Sequence, residues 1–367
     1  MRVIFAGGGT GGHVYPAVAI AKSVLELSPN AEIMFIGAER GMETDLVPKE
    51  GFRLQTVQVT GLSRSNPLQA VRSIWLAGQG LLHVRRMIKS FRPDVAVGTG
   101  GYVSGPAILA ASQLRVPTLI HEQNAFPGLT TRLLSRVATV VATSHSEAVA
   151  HLPRAKQTVV TGMPIRQDFY RTDRGQARAK LGLPLDATVV LTVGGSGGAR
   201  RVNEVIADSA PALLKRPGRY LLQVTGERYY QQTRKRQSQS GLDNERWQVI
   251  RFMYDMPDAL AAADLVVSRA GASTMEEIAA VGVPAIFIPS PNVTDNHQEH
   301  NANSLAQKGA ALVIREGVLD AASLTDNMET ILADPERRQE MSAASRAASH
   351  PEATRLLGQL VLDLVKA

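Results

Sequence analysis

The chain has 367 residues, of which 44% are hydrophobic and 20% charged, and its formal net charge is +7. This length allows two domains, and the composition is typical of a globular protein. The sequence contains no cysteine, which excludes disulfides, thiolate zinc sites and a cysteine nucleophile.

Short apolar segments alternate with longer helical stretches along the whole chain. Five strands are predicted in the first half, at Val3–Ala6, Ile33–Ile36, Val95–Val97, Thr118–Ile120 and Val137–Ala142. Five more are predicted in the second half, at Val189–Val193, Tyr220–Val224, Val249–Phe252, Leu265–Val267 and Ala285–Ile288. Continuous apolar strands with helices between them predict parallel sheets that are covered on both faces. No apolar run reaches the roughly 18 residues of a membrane span, and the apolar start is too short for a signal peptide, so we expect a cytoplasmic protein.

The two halves follow the same plan. Each begins with a strand that runs into glycines, which we call the first glycine loop (residues 7–12) and the second glycine loop (residues 194–198). Each later contains a strand, a glycine turn, a helix, a Val-Pro pair and a further strand. We therefore predict an α/β protein with two Rossmann-like domains, residues 1–162 and 163–351. The last helix, residues 352–367, could pack on either domain.

A strand that ends in glycines and opens a helix presents backbone N–H groups to an anion at the positive end of the helix dipole. Gly7, Gly9 and Gly12 also match the G-x-G-x-x-G pattern of dinucleotide-binding folds, and Glu39 could bind a ribose, so NAD binding stays open. Two such loops favour instead a nucleotide diphosphate in one domain and a second anionic substrate in the other. The alternative is that the glycines only make tight turns.

Positive charge is concentrated in the first half. Residues 1–162 contain 16 Lys and Arg against 9 Asp and Glu, and no acidic residue occurs between Glu50 and Asp94. This excess of positive charge favours an anionic partner, namely nucleic acid, a membrane surface or a phosphorylated substrate. A role in solubility alone is the alternative.

Several segments, spread in order over nearly the whole chain, carry a more specific signal. They are Gly8–Pro16, Asp45–Pro48, Gly100–Pro106, His121–Asn124, Gly194–Arg200, Ser268–Ala272, Glu277–Ala280 and Gly282–Pro284. In this ordered set the chain resembles the MurG family of N-acetylglucosaminyltransferases.

The resemblance implies a GT-B fold, in which two Rossmann-like domains face a cleft, and inversion at the sugar carbon. It implies transfer of N-acetylglucosamine from UDP-N-acetylglucosamine to the C4 hydroxyl of undecaprenyl-diphospho-N-acetylmuramoyl pentapeptide (lipid I to lipid II), a step of peptidoglycan synthesis. It also implies that no metal or other cofactor is obligatory. The sequence agrees, because it contains neither a D-x-D pair in a plausible loop nor an H-E-x-x-H motif.

The resemblance also implies a set of binding residues. The donor would be contacted by Thr10, Gly11, Gly12, Asn124, Arg166, Ser196, Met253, Ala272, Ser273, Thr274, Met275, Glu276, Glu277 and Gln298. In that set Ser196 would meet the diphosphate, the Met253 backbone the uracil, and Glu277 the ribose. Gln298 would contact the sugar. The acceptor would lie near Gly100, Gly101 and Tyr102.

His13 is the candidate general base, because an imidazole can accept a hydroxyl proton near neutral pH. Its alternative role is to position the loop or to bind the acceptor phosphate. His121 is expected to be structural. His297 and His300 have a spacing compatible with a metal, but no clear third ligand accompanies them. His297 stands where family members can have glutamine, and Ser273 replaces a commonly apolar residue.

The basic stretch over residues 62–92 also contains apolar residues at helical spacing, with Gly78 and Gly80 expected to interrupt the helix. Given an undecaprenyl-linked acceptor, we expect an anchor on anionic lipid at the cytoplasmic face of the membrane. The residues expected to contact lipid are Arg72, Trp75, Arg85, Arg86 and Lys89. The alternative is that the apolar residues face the domain core and the basic residues are solvated.

Three other functions predict different sequence features. Another GT-B UDP-sugar transferase or an epimerase would keep the donor loop but not His13, Gly100–Pro106 and His121–Asn124. A nucleic-acid-binding protein would interleave aromatic with basic residues, whereas aromatics are only 5% of this chain, so no nucleic-acid partner is expected. An NAD-dependent dehydrogenase would need only one glycine loop.

Overall fold

The apolar strands of the sequence form two parallel sheets, one in each of two units of the chain. The protein is represented by a computed structural model that describes residues 1–58, 67–195, 197–293 and 296–366, with only the backbone of residues 67–78. Unit 1 comprises Met1–Arg166 and Glu352–Ala367, and unit 2 comprises Gln167–Pro351.

Unit 1 alternates strands and helices from its first residues. In chain order its elements are β1 (Arg2–Gly7), α1 (Gly11–Leu27), β2 (Glu32–Ala38), α2 (Glu43–Lys49), β3 (Arg53–Val57), α3 (Pro67–Phe91), β4 (Val95–Gly100), α4 (Gly101–Gln113), β5 (Thr118–Glu122), α5 (Leu129–Leu134), β6 (Val140–Thr143) and β7 (Thr158–Val160).

Unit 2 follows the same alternation. Its elements are α6 (Asp168–Arg171), α7 (Arg174–Lys180), β8 (Thr188–Val193), α8 (Arg200–Leu214), β9 (Arg219–Val224), α9 (Tyr230–Gln239), β10 (Trp247–Ile250), α10 (Met256–Ala262), β11 (Leu265–Ser268), α11 (Ala272–Val281), β12 (Ala285–Phe287), α12 (His297–Ala306), β13 (Ala311–Val313), α13 (Ala321–Leu332) and α14 (Pro335–Ala347). The last helix, α15 (Ala353–Lys366), returns to unit 1.

Both sheets have the strand order of a doubly wound fold. The order is β3-β2-β1-β4-β5-β6-β7 in unit 1 and β10-β9-β8-β11-β12-β13 in unit 2, with parallel pairing between neighbours. The direction of winding reverses between β1 and β4 and again between β8 and β11. Ligands bind at such switch points in open α/β sheets, outside the carboxyl ends of the strands. Each glycine loop follows one of these central strands.

The two predicted Rossmann-like domains are thus confirmed, and all ten predicted strands form. Sequence reasoning missed three strands, β3, β7 and β13. Each lies at the edge of its sheet, where one side of the strand has no neighbour. Their side chains are less completely buried than those of the central strands, so their sequences are less apolar.

The sheet of unit 1 is buried on both faces. One face packs on α1 and α15 through a cluster that includes Phe5, Val97 and Leu357. The other packs on α3 and α4 through a cluster that includes Ile36 and Ile108. Central strands in such a sheet must be apolar on both sides, which is the pattern that made them recognisable in the sequence.

Helix α15 packs on α1 of unit 1, a choice that the sequence had left open. Leu357 and Val361 are fully buried in the unit 1 core. Gly358 allows the two helices to approach closely, because a Cβ at this position would lie 2.4 Å from Ser23 Oγ. The Thr354 hydroxyl also donates to the Ile165 carbonyl at 2.9 Å, near the end of the first segment of unit 1.

Helix α3 continues through Gly78 and Gly80, so the predicted interruption is wrong. A helical glycine costs only about 1 kcal/mol relative to alanine. Burial of Val84 and Ile88 in the following turns offsets a penalty of this size. Within the described residues, no helix is long and apolar enough to cross a membrane.

Candidate active site

The first glycine loop joins β1 to α1 and places His13 in the first turn of the helix. Gly9 has a φ of +86°, which favours glycine, and Thr10 precedes the helix in an extended conformation. The half-buried imidazole of His13 has its Nδ1 atom 3.2 Å from the Gly8 carbonyl and 3.3 Å from the Thr10 hydroxyl. Gly9, Thr10 and Gly12 are exposed, whereas Gly11 is buried, so the loop presents part of its backbone to solvent.

The loop after β4 lies directly against the first glycine loop. A Cβ on Gly100 would lie 2.5 Å from Cδ2 of His13, and a Cβ on Gly101 would lie 2.2 Å from the carbonyl oxygen of Gly8. The Thr99 hydroxyl donates to the His13 carbonyl at 2.7 Å. Of the predicted acceptor residues, Gly100 therefore lies against the His13 ring and Gly101 against the backbone of Gly8. Tyr102, the third of them, is 68% exposed.

A buried carboxylate organises the loop after β5. Glu122 Oε1 accepts the backbone N–H of Asn124 at 3.0 Å and its side-chain Nδ2 at 3.1 Å. Its second oxygen, Oε2, accepts the N–H of Gly128 at 3.2 Å. Asn124, a predicted donor contact, is thus held at the carboxyl edge of the sheet in unit 1.

His121 has the structural role expected of it. Its Nε2 atom donates to the Gly162 carbonyl at 3.2 Å, and Gln123 Nε2 lies 3.3 Å from its Nδ1 atom. Gln123 also donates to the carbonyl of Thr99, whose hydroxyl holds His13. Burial lowers the pKa of His121 to about 4, although the hydrogen bond to Gly162 partly opposes this shift.

Sequence reasoning missed four polar residues of unit 1 that hold these loops: Glu43, Thr99, Glu122 and Gln123. Three of them stand at the carboxyl ends of apolar strands, where a polar run is itself a signal. Glu43 has no such signal. It begins α2, is fully buried, and accepts the N–H of Gly9 at 2.9 Å.

The second glycine loop of unit 2 is held by the loop after β9. A Cβ on Gly198 would lie 2.3 Å from the Thr225 carbonyl oxygen, and one on Gly226 would lie 2.7 Å from the Cα of Gly198. Asn203 Nδ2 donates to the same Thr225 carbonyl at 2.9 Å. Ser196, the predicted diphosphate contact, lies outside the described residues.

Helix α11 begins after the extended Gly271 and carries six predicted donor residues. Ala272, Ser273 and Thr274 are half-buried, Met275 is buried, and Glu277 is half-buried. Ser273 Oγ is buried and has no hydrogen-bond partner among the described residues.

Glu276 differs from its neighbours on α11. Its carboxylate accepts the His350 N–H at 2.6 Å, lies 3.3 Å from His350 Nδ1, and accepts a hydrogen bond from Tyr170. Burial, together with this carboxylate, raises the pKa of Tyr170. These contacts occupy the Glu276 carboxylate, and its contact with the donor stays a prediction.

Three further predicted donor residues lie outside the glycine loops and α11. Gln298 Oε1 accepts the N–H of Ser290 at 2.9 Å, which fixes its side-chain amide. Met253 is half-buried in the segment between β10 and α10. Arg166 is half-buried and is the last residue of the first segment of unit 1.

The His297 and His300 pair and the basic helix α3 are the remaining features singled out in the sequence. Over the part of the chain that the structure describes, no three His, Asp or Glu side chains come together as metal ligands, His297 and His300 included. On α3, Arg86 and Lys89 are exposed and Arg85 is half-buried, while Val84 and Ile88 face the core. The side chains of Arg72 and Trp75 lie outside the described residues.

Comparison with known proteins places both units in one family. Residues 3–143 match the glycosyltransferase family 28 N-terminal domain, and residues 189–357 match the family 28 C-terminal domain. A relative from Caldanaerobacter subterraneus subsp. tengcongensis is 43% identical over 98% of this chain and 99% of its own length. That relative is named UDP-N-acetylglucosamine--N-acetylmuramyl-(pentapeptide) pyrophosphoryl-undecaprenol N-acetylglucosamine transferase.

Solved structures give two kinds of similarity. MurG of Acinetobacter baumannii is 30% identical, with a TM-score of 0.77 over 99% of both chains. A UDP-GlcNAc 2-epimerase from Neisseria meningitidis has a TM-score of 0.70 over 100% of both chains but only 13% identity. The second similarity concerns the fold alone.

The contact between Gly100 and His13 predicts a specific cost for a methyl group. In Gly100→Ala, a φ of +109° strains the backbone and the Cβ collides with the imidazole. We expect the free energy of unfolding, measured by denaturant titration, to fall by about 3 kcal/mol or more. Gly51→Ala is the matched control, because Gly51 has a φ of +82° but no atom within 4 Å of the added Cβ. In Gly51→Ala we expect the free energy of unfolding to fall by about 1 kcal/mol. An equal decrease in the two variants would contradict the contact between Gly100 and His13.

The buried His121 predicts a pH dependence of stability. With a pKa of about 4, its folded form stays neutral, while the unfolded chain binds a proton below the ordinary pKa of 6.5. Stability should therefore fall as the pH drops from about 6.5 to 4, by about 2 kcal/mol between pH 7 and pH 5 from this group. Denaturant titrations at both pH values should show that the free energy of unfolding decreases by about 2 kcal/mol less in His121→Gln than in the unmodified protein. The same decrease in the free energy of unfolding in both proteins would contradict the proposed contribution of His121.

Proposed function

The chain belongs to the MurG family of glycosyltransferases, and we propose that it transfers N-acetylglucosamine from UDP-N-acetylglucosamine to undecaprenyl-diphospho-N-acetylmuramoyl pentapeptide. The observation that carries the proposal is the 43% identity, over 98% of the chain, to a relative named for that transfer. The C4 hydroxyl oxygen of the acceptor attacks C1 of the donor sugar, UDP leaves from the opposite face, and the hydroxyl proton passes to a base.

His13 is the proposed base. Because a carbonyl can only accept a hydrogen bond, the contact of His13 Nδ1 with the Gly8 carbonyl places the imidazole hydrogen on Nδ1. The lone pair is then on Nε2, which can take the proton of the acceptor hydroxyl. The Gly100 backbone against the ring and the Thr99 hydrogen bond support this assignment, because they restrict the orientation of His13.

The donor is proposed to bind mainly to unit 2. The first turn of α11, Ala272 to Thr274, offers backbone N–H groups and the positive end of a helix dipole to the diphosphate. The buried Ser273 hydroxyl, which has no partner among the described residues, supports this placement because a bound phosphate would supply an acceptor. Glu277 is proposed to bind the ribose and Gln298 the sugar, as the family resemblance implies.

Residues of unit 1 are also proposed to contact the substrates. Thr10, Gly11, Gly12, Asn124 and Arg166 are the proposed further donor contacts. The acceptor is proposed to lie along Gly100, Gly101 and Tyr102. The exposed backbone of the first glycine loop and the exposed Tyr102 ring support these roles, since a substrate can reach both.

A transfer assay tests the function and the base together. Purified protein should form the N-acetylglucosaminyl product from UDP-N-acetylglucosamine and a short-chain acceptor analogue. His13→Ala should lower the turnover number by about 100-fold or more, since it removes a general base. The dissociation constant of the donor, measured by calorimetry, should stay within about twofold. His83→Ala, which removes an exposed histidine of the same unit, is the control.

The outcomes separate the hypotheses. Donor binding without transfer to the acceptor would contradict the assigned reaction. Conversion of the donor into a 2-epimer without any acceptor would favour the epimerase alternative. Full turnover in His13→Ala would leave the reaction in place and assign His13 a positioning role.

We also propose that unit 1 rests on an anionic membrane surface at the cytoplasmic face, as a peripheral protein. Arg86 and Lys89 of α3 are exposed, and Leu82 of the same helix is 55% exposed. On the short helix α5, Leu129 and Leu133 are 45% and 54% exposed. Exposed leucines together with basic side chains suit a lipid headgroup region, where the acceptor would be found.

Vesicle binding tests this surface. Sedimentation with phosphatidylglycerol vesicles should be about tenfold weaker or more for Arg86→Glu/Lys89→Glu, because each basic residue adds about 1 kcal/mol of attraction. Lys235→Glu/Lys308→Glu, the same charge change at exposed sites of unit 2, should bind like the unmodified protein. An equal loss in both double variants would show that only the net charge matters.

A further inference from the structure

We propose that Glu43 is a positioning residue that acts on His13 through the peptide group between Gly8 and Gly9. Glu43 Oε2 accepts the N–H of Gly9 at 2.9 Å. The carbonyl of Gly8 belongs to the same peptide group and lies 3.2 Å from Nδ1 of His13. This peptide bond is trans and planar, so its N–H and C=O point in opposite directions. The carboxylate and the imidazole therefore hold the two ends of one rigid group.

This arrangement has a chemical consequence for the imidazole. A carboxylate that accepts the N–H polarises the peptide group and makes its carbonyl a stronger acceptor. A stronger acceptor at Gly8 favours the tautomer of His13 that carries its hydrogen on Nδ1. Glu43 thereby fixes both the orientation of the ring and the nitrogen that keeps the lone pair, without contacting a substrate.

Among the described residues, Glu43 is held in place by backbone N–H groups and not by a cation. The side chain is fully buried, and its other oxygen, Oε1, accepts the N–H of Ala38 at 3.0 Å. No Lys or Arg in the described part of the chain forms an ion pair with it. A buried carboxylate is costly to desolvate, and the hydrogen bonds from the Gly9 and Ala38 N–H groups are the contacts that offset this cost.

Three glycines make room for this carboxylate. A Cβ on Gly8 would lie 2.3 Å from Glu43 Oε1, one on Gly41 would lie 2.3 Å from Oε2, and one on Gly37 would lie 2.7 Å from Cγ. Gly8 belongs to the first glycine loop, Gly37 to β2, and Gly41 to the turn before α2. The backbone of three separate segments thus encloses the Glu43 side chain.

The inference rests on the proposed function only for its activity readout, and a spectroscopic readout is independent of it. In ¹⁵N-histidine-labelled protein, the imidazole ¹⁵N shifts of His13 report which nitrogen carries the hydrogen. We expect the Nδ1–H form in the unmodified protein and a shift toward the Nε2–H form in Glu43→Gln, whose neutral amide polarises the peptide group less. The turnover number should fall about tenfold or more, with the dissociation constant of the donor within twofold.

Glu39→Gln is the matched control. It removes the same charge from an exposed carboxylate just after β2, close to Glu43 along the chain, and should leave both readouts unchanged. If Glu43→Gln loses turnover while the ¹⁵N shifts of His13 stay unchanged, Glu43 supports the fold only and the inference is overturned. If neither the turnover number nor the ¹⁵N shifts of His13 change in Glu43→Gln, the inference is overturned as well. If the unmodified protein transfers no sugar, the proposed function fails and the ¹⁵N shifts still decide the inference.

Discussion

The close approach of two backbone segments at the carboxyl edge of the unit 1 sheet is the constraint on which the candidate site depends. The loop after β4 touches the first glycine loop so closely that neither Gly100 nor Gly101 has space for a Cβ. The register between β1 and β4 shifts at the same place, where Gly7 pairs with Gly100. Because the backbones meet directly, the His13 ring rests on main-chain atoms, which move less than side chains. The glycines therefore serve to hold a side chain as much as to admit a phosphate.

Sequence patterns predicted the parts of the molecule that depend on local periodicity. The nine strands with neighbours on both sides were all predicted, because burial on both faces makes a strand uniformly apolar, and the edge strand β10 was predicted as well. The edge strands β3, β7 and β13 were not predicted, because their side chains are less completely buried and their sequences are less apolar. The glycine loops and His13 were also visible. The contact of Glu43 with Gly9 was not, since it joins residues 34 positions apart through a fold that no local pattern encodes. For the same reason the packing of α15 on α1 needed the structure.

The fold and the chemistry of this chain rest on different observations. A strand order that reverses beside a glycine loop occurs in each unit, and it is shared with an epimerase that is only 13% identical. Such an arrangement determines where a nucleotide can bind but not what happens to it. In unit 1, hydrogen bonds connect His13, Thr99 and Gln123 to His121 and the backbone of Gly162. The proposed reaction therefore rests on family membership, and the network accounts for how unit 1 holds His13.

The return of α15 to unit 1 affects the order in which the protein can fold during synthesis. The ribosome makes residues 1–166 first, yet the apolar face of α1 stays uncovered until Leu357 and Val361 have been translated. Unit 2 is complete by Pro351 and can reach its native state earlier. The part of the protein that is synthesised first is thus finished last, and its exposed apolar surface in the interval is a natural binding site for chaperones.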